Sequence, residues 1–314
     1  MKLIKKILKN NIFCFILWAF IFGVVGVSAA TYFASSDVTY DNSASGLSST
    51  DVQGAIDELY GVCTTPMTAG DTILEQVEIV TSGDGLYSDE YEDGRYFYRG
   101  GNPNNYITFN NEFAGWRIVS IELDGTIKII KNESIGNIVW ATSNSNNWSR
   151  PATINTYLNE TYYNNELNST AQSQIVTKGF SIGGVTNNND LANQINNENS
   201  TKWHGKVALA TVSEYIRSNS NQSICGSLSL SNNNYGTCKN TTWMYINETC
   251  WTLSSRSGSS NRAFYVQSDN NIIGNDGYSF VNIAYGTRPV LYLSSEVKII
   301  GGDGSQNNPY EISL

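Results

Sequence analysis

Few residues in this sequence can do chemistry, and their scarcity narrows the reading. His204 is the only histidine, so a Ser-His-Asp triad would have to use it. His204 would have to serve the one G-x-S-x-G of the chain, Gly179-Phe180-Ser181-Ile182-Gly183. The residue stands in Lys202-Trp203-His204-Gly205, just before a strand, which is the setting of an ordinary loop or edge histidine. A carboxylate pair for glycoside hydrolysis could be drawn from Glu248 with Asp269 or Asp276, but acidic residues in polar loops are usually just solvated. Calcium, held through oxygen ligands, is the one cofactor the loops could take, at Asp269-Asn270-Asn271 or Asn275-Asp276-Gly277. Neither matches an EF-hand. Zinc is disfavoured by the absence of C-x-x-C spacing, so no metal ligands are assigned.

The cysteines point to a compartment instead. Cys14 lies in an apolar leader, and Cys63, Cys225, Cys238 and Cys250 follow it. Outside the cell pairing is expected, and four cysteines allow three connectivities. Cys225 with Cys238 would close a loop too polar to pack by itself. Cys63 with Cys250 would then tie the N-terminal helix to the main domain.

The positive signal is a recognition surface. Trp243, Arg256, Arg262, Asn270, Asn275, Asp276 and Tyr278 fall in or beside Asn- and Ser-rich loops, the mixture of amphipathic aromatics and adaptable polar groups that binding surfaces use. Trp251, Tyr265 and Tyr292 read as core residues of their strands. The loops at 254–262 and 267–280 are where a ligand would be met.

These residues must be carried by the rest of the chain. Lys2 to Lys9 is cationic, and the uncharged run Ile12 to Val27 leads to Ser28-Ala29-Ala30, the order of a signal peptide. Residues 1–30 are therefore a signal or an uncleaved anchor helix, and lysines before the run place the remainder outside the membrane. Net charge is −9, and without the four leader lysines the chain carries 15 basic against 28 acidic residues, or −13. Such a balance argues against nucleic acid and against anionic lipid as partners, leaving the N-terminal segment as the sole membrane contact.

Residues 31–86 read as a short helical stem and connector. Thr50 and Gln53 have capping-box spacing, and Val52, Ala55, Ile56 and Leu59 form one apolar face. A second short helix is expected from Ile73, Leu74, Val77 and Val80, with the domain boundary near Leu86. In residues 87–314 the 96–98 and 106–109 runs predict one hairpin. Trp116 to Leu123 and Thr126 to Ile130 about Asp124-Gly125 predict another. A helix is expected after Pro151 with Ser149 as N-cap, then a long surface loop over 181–202, a strand at 206–209, and a helix from Ser213 to Arg217. Strands at 243–255, 263–266 and 285–293 follow, with Arg288-Pro289 marking a bulge or sheet edge, and a last strand covers 310–314. Strands with helices laid on them make the domain α+β.

Residue order near the C-terminus, Trp251-Thr252-Leu253-Ser254, then Ala263-Phe264-Tyr265-Val266, then Gly286-Thr287-Arg288-Pro289-Val290, resembles the closing strands of the C-type-lectin-like fold of formylglycine-generating-enzyme relatives. Leu209 to Tyr215 resembles that superfamily's L-P-T-x-x-E-W segment, with Ala210 in place of the proline. The likeness extends to an uncharacterised domain of exported proteins of low-GC Gram-positive bacteria. It implies a mixed, mainly antiparallel sheet with two helices. The superfamily's enzymatic chemistry needs cysteines close to the final strand, and Gly286 to Pro289 contains none. Val52-Gln53-Gly54-Ala55-Ile56-Asp57-Glu58-Leu59 resembles a phage tail-fibre motif, which implies a homotrimer through residues 47–60. The expectation is an extracellular protein, secreted or anchored, that binds a cell-surface glycan or protein without catalysis. A carbohydrate-active enzyme and a structural envelope component are the alternative classes.

Overall fold

A computed structural model describes residues 35–64, 67–150, 152–188, 190–227, 238, 241–267 and 273–314, apart from the side chains of 62–64 and 273–276. The leader expected over 1–30 lies outside the described residues. Among them, no helix is long and apolar enough to cross a membrane. Two compact units divide between Met67 and Thr68, upstream of the expected boundary near Leu86.

In the first unit the stem helix spans Val52–Thr64. Its start differs from the expected capping box. Asp51 accepts the Gly54 N–H at 2.8 Å, while Gln53 turns away to Ser35 and Asp57. Ala55 is buried and Val52, Ile56 and Leu59 are half-buried, so the apolar face is only partly covered.

The second unit opens with helix Ala69–Gln76, whose N-cap Thr68 and Asp71 exchange side-chain bonds with each other's backbone N–H groups. Thr68→Ala removes one side of that box and should cost about 1 kcal/mol in chemical denaturation. Ala69 and Ile73 are fully buried, which makes this helix part of the domain.

An eight-stranded sheet runs Gly85–Ser88, Tyr96–Arg99, Glu112–Ile121, Ile127–Lys131, Val290–Leu293, Val207–Ala208, with Tyr106–Phe109 paired to Glu112–Ile121 and Ile175–Val176 to Val290–Leu293. All of its pairings are antiparallel. The Asp124-Gly125 hairpin forms as predicted, with Gly125 at φ 80° and Asp124 accepting from the Thr126 N–H. Tyr96–Arg99 and Tyr106–Phe109, expected to pair with each other, instead pair separately with Glu112–Ile121, the longest strand of the sheet.

A five-stranded sheet runs Ile273–Phe280, Arg262–Val266, Cys250–Ser255, Ala284–Gly286, Asn137–Val139. The chain crosses between the sheets at Thr287-Arg288-Pro289, because Pro289 has no N–H to give to a ladder. Of the bulge or sheet edge expected there, the edge does not occur: Val290–Leu293 is an interior strand, paired with Ile127–Lys131 and Val207–Ala208. Arg288, 1% exposed at this crossing, donates from Nε to the Lys131 carbonyl and from Nη1 to the Met244 carbonyl.

More helix is present than the two expected. Thr153–Thr156, Tyr157–Tyr162 and Tyr163–Asn165 run on as one helical stretch with a π-helical middle. It has no side-chain N-cap bond, so Ser149 does not play the expected part. Short helices also cover Ser169–Gln174, Val212–Arg217 and Gln222–Cys225. The expected surface loop at 181–202 contains a helix, Leu191–Asn199, capped by Asp190 and burying Leu191, Gln194, Ile195 and Glu198. Two of those four buried residues are polar, and that hid the apolar period. The fold is thus α+β, built mainly of antiparallel sheet.

Candidate functional site

Two groups of functional side chains lie in the second unit. One was visible in the sequence. Strand pairing sets Arg262 opposite Phe280 and Phe264 opposite Tyr278. Alternation along a strand sends both pairs to the same face. Phe264, fully buried, meets Tyr278 edge-on at 5.8 Å. The Arg256 guanidinium lies 3.9 Å from the centre of the Tyr278 ring, and that of Arg262 lies 5.2 Å from it and 4.6 Å from the Phe280 ring. A ladder thus climbs from the core to Phe280, which is 47% exposed beside the exposed Ile283. Neither guanidinium has a carboxylate partner among the described residues.

The turn that brings Arg256 to Tyr278 is held from outside. Arg256 donates its N–H to the Arg262 carbonyl, and the Asn146 amide reaches the carbonyls of Arg256, Ser259 and Arg262 at 3.1, 2.8 and 2.9 Å. Asn146 was not legible as a positioning residue, since its partners lie more than a hundred positions away.

The other candidates disperse. Trp243 is 3% exposed, donates its indole N–H to the Tyr98 carbonyl at 2.9 Å and stacks under Arg117, so it is a core residue and not part of a binding surface. Asn270 lies outside the described residues, as do the side chains of Asn275 and Asp276. Cys225 and Cys238 form the expected disulfide. Cys250 is a free, buried thiol, in place of the expected bridge to Cys63, whose side chain lies outside the described residues. It lies against Gly286, but burial pushes its thiol up to about 12, so it is not a nucleophile at neutral pH. His204 is exposed on the Lys202–Gly205 strand. Among the described residues no group of three or more His, Cys, Asp and Glu side chains could hold a metal.

The second group was not anticipated. A cavity of about 120 Å³ is lined by nine Lys, Arg and Glu side chains, among them Arg95, Lys128, Lys202, Arg217, Glu198 and Glu214. Lys128 and Glu214 pair directly, both almost fully buried. Arg95 lies 2.9 Å from Glu92 and 3.4 Å from Glu122, and Arg217 pairs with Asp89. Burial works against the Glu214 carboxylate, yet Lys128 and Arg95 outweigh it and hold its pKa below the usual value. Glu198 moves the other way: burial raises its carboxyl, and the Ser213 and Ser254 hydroxyls bonded to it only partly oppose that. Lys202 donates to Ser181 Oγ at 2.8 Å and Asn199 Oδ1 at 2.9 Å, without a carboxylate partner among the described residues.

Fold and sites together define the class, an α+β protein of mainly antiparallel sheets with an aromatic-cationic surface and a charged cavity among the described residues. No protein-family model, curated protein or solved structure matches the chain.

Proposed function

We propose that the chain is an exported, surface-displayed, non-enzymatic ligand-binding or adhesion protein, with a C-type-lectin-like domain behind a stem that associates as a homotrimer through residues 47–60. One observation carries the binding reading: the ladder Arg256, Tyr278, Arg262, Phe280, which ends in an exposed ring in a strongly acidic chain. Arginine and aromatic side chains dominate the energetics of protein recognition. Arg256 already covers a face of Tyr278, which takes that face from a sugar ring and leaves Phe280 and Ile283 as the apolar contact. Of the two ligand classes expected, the arrangement therefore favours a protein segment that pairs acidic with apolar side chains.

The test is binding of the full chain to a peptide display library and to a glycan and mucin array, in calcium and in chelator. Phe280→Ala and Arg262→Ala should each weaken binding at least about tenfold with unchanged thermal midpoint, as truncation of an interface anchor does. Binding that survives both substitutions would sink the assignment of this face. Loss in chelator alone would show a calcium requirement, and preference for the array over the peptides would return the ligand to glycan. For the enzyme alternative there is one supporting observation, that Glu248 and Glu133 line a common recess of about 440 Å³. Aryl-glycoside hydrolysis lost in Glu248→Gln would establish that reading.

A further inference from the structure

We propose that a groove at the tip of the Tyr106–Phe109 and Glu112–Ile121 hairpin is a binding site of its own, separate from the aromatic ladder, and that it takes a neutral, polyhydroxylated sugar ring. The groove measures about 270 Å³, and the helix Ser169–Gln174 and the strand pair Lys298–Gly301 with Glu311–Ser313 supply its other walls. These walls are tied together. Asn110 and Asn111, at φ 57° and 61°, make the two-residue turn of the hairpin. Asn110 donates to the Glu166 carbonyl at 2.9 Å and accepts the Asn168 N–H at 2.8 Å, which fixes the turn to the start of the helix. Thr108 donates its N–H to the Tyr310 carbonyl at 2.9 Å, just before the strand Glu311–Ser313. A site carried on paired strands and a docked helix keeps its shape without a ligand.

Hydrogen-bonding capacity left over inside the groove indicates the ligand. Gln174 is 4% exposed, and its carboxamide has no hydrogen-bond partner among the described residues. Thr108 Oγ1 is buried without one. Both residues line the groove. Buried polar groups are as a rule paired, so two orphans in one recess point to a partner that enters it. A hydroxyl and a carboxamide each donate and accept, as sugar hydroxyls do. The rim adds apolar surface, since Phe113 is 66% exposed beside Ala114 at φ 51°, and Ile300 is 62% exposed. The negative face of an aromatic ring attracts the polarised C–H groups of a sugar. Other occupants fit less well. Glu311 is the one charged side chain lining the groove among the described residues, so an anion would be repelled. It stands exposed, where solvent and salt weaken its hold on a cation. A purely apolar group would leave Thr108 and Gln174 buried and unpaired.

Titration calorimetry of the full chain with the methyl glycosides of D-glucose, D-galactose, D-mannose and N-acetyl-D-glucosamine, against cyclohexanol, D-glucuronate and tetramethylammonium, tests this directly. At least one neutral sugar should bind more tightly than every control. Gln174→Leu should weaken that binding at least about tenfold, the worth of a donor and an acceptor lost together. Its thermal midpoint should stay in place or rise, because the amide removed is unpaired in the free protein; a glutamine of purely structural role would lower the midpoint and leave affinity alone. Thr108→Val and Phe113→Ala should weaken binding in the same way. Equal affinity for the sugar at the end of an oligosaccharide would mark a glycan terminus as the source, and loss of binding there a free sugar. The proposal is overturned if no sugar binds at about 10 mM, above the millimolar dissociation constant of a weak site. A control that binds as tightly as the sugars overturns it too, as does unchanged affinity in both Gln174→Leu and Thr108→Val. Phe280→Ala should leave sugar binding intact, which separates failure here from failure of the ladder, and loss of sugar binding in that variant would place the sugar on the ladder instead.

Discussion

Glu214→Ala is expected to destabilise the protein by about 3–5 kcal/mol, because removing one partner of a buried pair leaves the other charge uncompensated. Glu214 is 4% exposed, pairs with Lys128, lies 3.7 Å from Arg95 and accepts the Thr211 N–H at 2.9 Å to close the capping box of helix Val212–Arg217. Glu214→Gln keeps an acceptor for Thr211 and loses only the charge, so it should cost less. Adding Lys128→Met to Glu214→Gln should recover much of the loss, since the stranded ammonium is then gone as well. Urea unfolding of the parent, Glu214→Gln, Lys128→Met and the double variant forms the cycle, and a double variant no better than Glu214→Gln alone would contradict the uncompensated charge as the cause.

The same carboxylate sets an acid limb. Its folded pKa lies below the unfolded value, so its contribution is present above that unfolded value and disappears as pH falls through the folded one. Glu198 has the opposite sign. Its folded pKa is raised, so the folded state holds the proton more tightly and gains stability as pH falls. Acid destabilisation should therefore be steeper in Glu198→Gln than in the parent, read as the difference between urea midpoints on the two sides of the ordinary carboxylate range.

Replacing Cys225 and Cys238 together by serine should cost about 3 kcal/mol, the loop-closure entropy for their sequence separation of 13. Both sulfurs are buried, and the loop they close is anchored by Asn219, which donates to the Cys238 carbonyl at 2.5 Å. Cys225 ends the short Gln222–Cys225 helix, and the following Gly226 accepts the Leu191 N–H at the start of the helix that carries Glu198. Loss of the disulfide should thus loosen one wall of the charged cavity. Reduction of the parent protein should lower the denaturation midpoint by the same amount as the double serine variant. Thiol titration of the unfolded, unreduced chain should modify Cys250 and spare Cys225 and Cys238; modification of that pair, or protection of Cys250, would contradict this arrangement.

What the sequence determined by itself is local. The Asp124-Gly125 hairpin forms as expected; the helix expected from Ile73 to Val80 forms at Ala69–Gln76 behind Thr68, and the one expected behind Ser213 begins at Val212 with Thr211 as its N-cap. Closing a short polar loop likewise made Cys225 and Cys238 readable as a pair. Three of the four ladder residues, Arg256, Arg262 and Tyr278, were visible too, as aromatic and cationic side chains in stretches rich in Asn and Ser. Tertiary structure decided the rest. Lys128 alternates with Ile127 and Ile129, a pattern that reads as a solvent-facing lysine. It is buried only because the helices at 191–199 and 212–217 bring Glu198 and Glu214 to the cavity it lines. Trp243 and Trp251 look alike as residue types, and both became core when the Tyr98 and Ile138 carbonyls took their indole N–H groups. Burial of a charge depends on partners more than eighty positions away, and no local pattern carries that information.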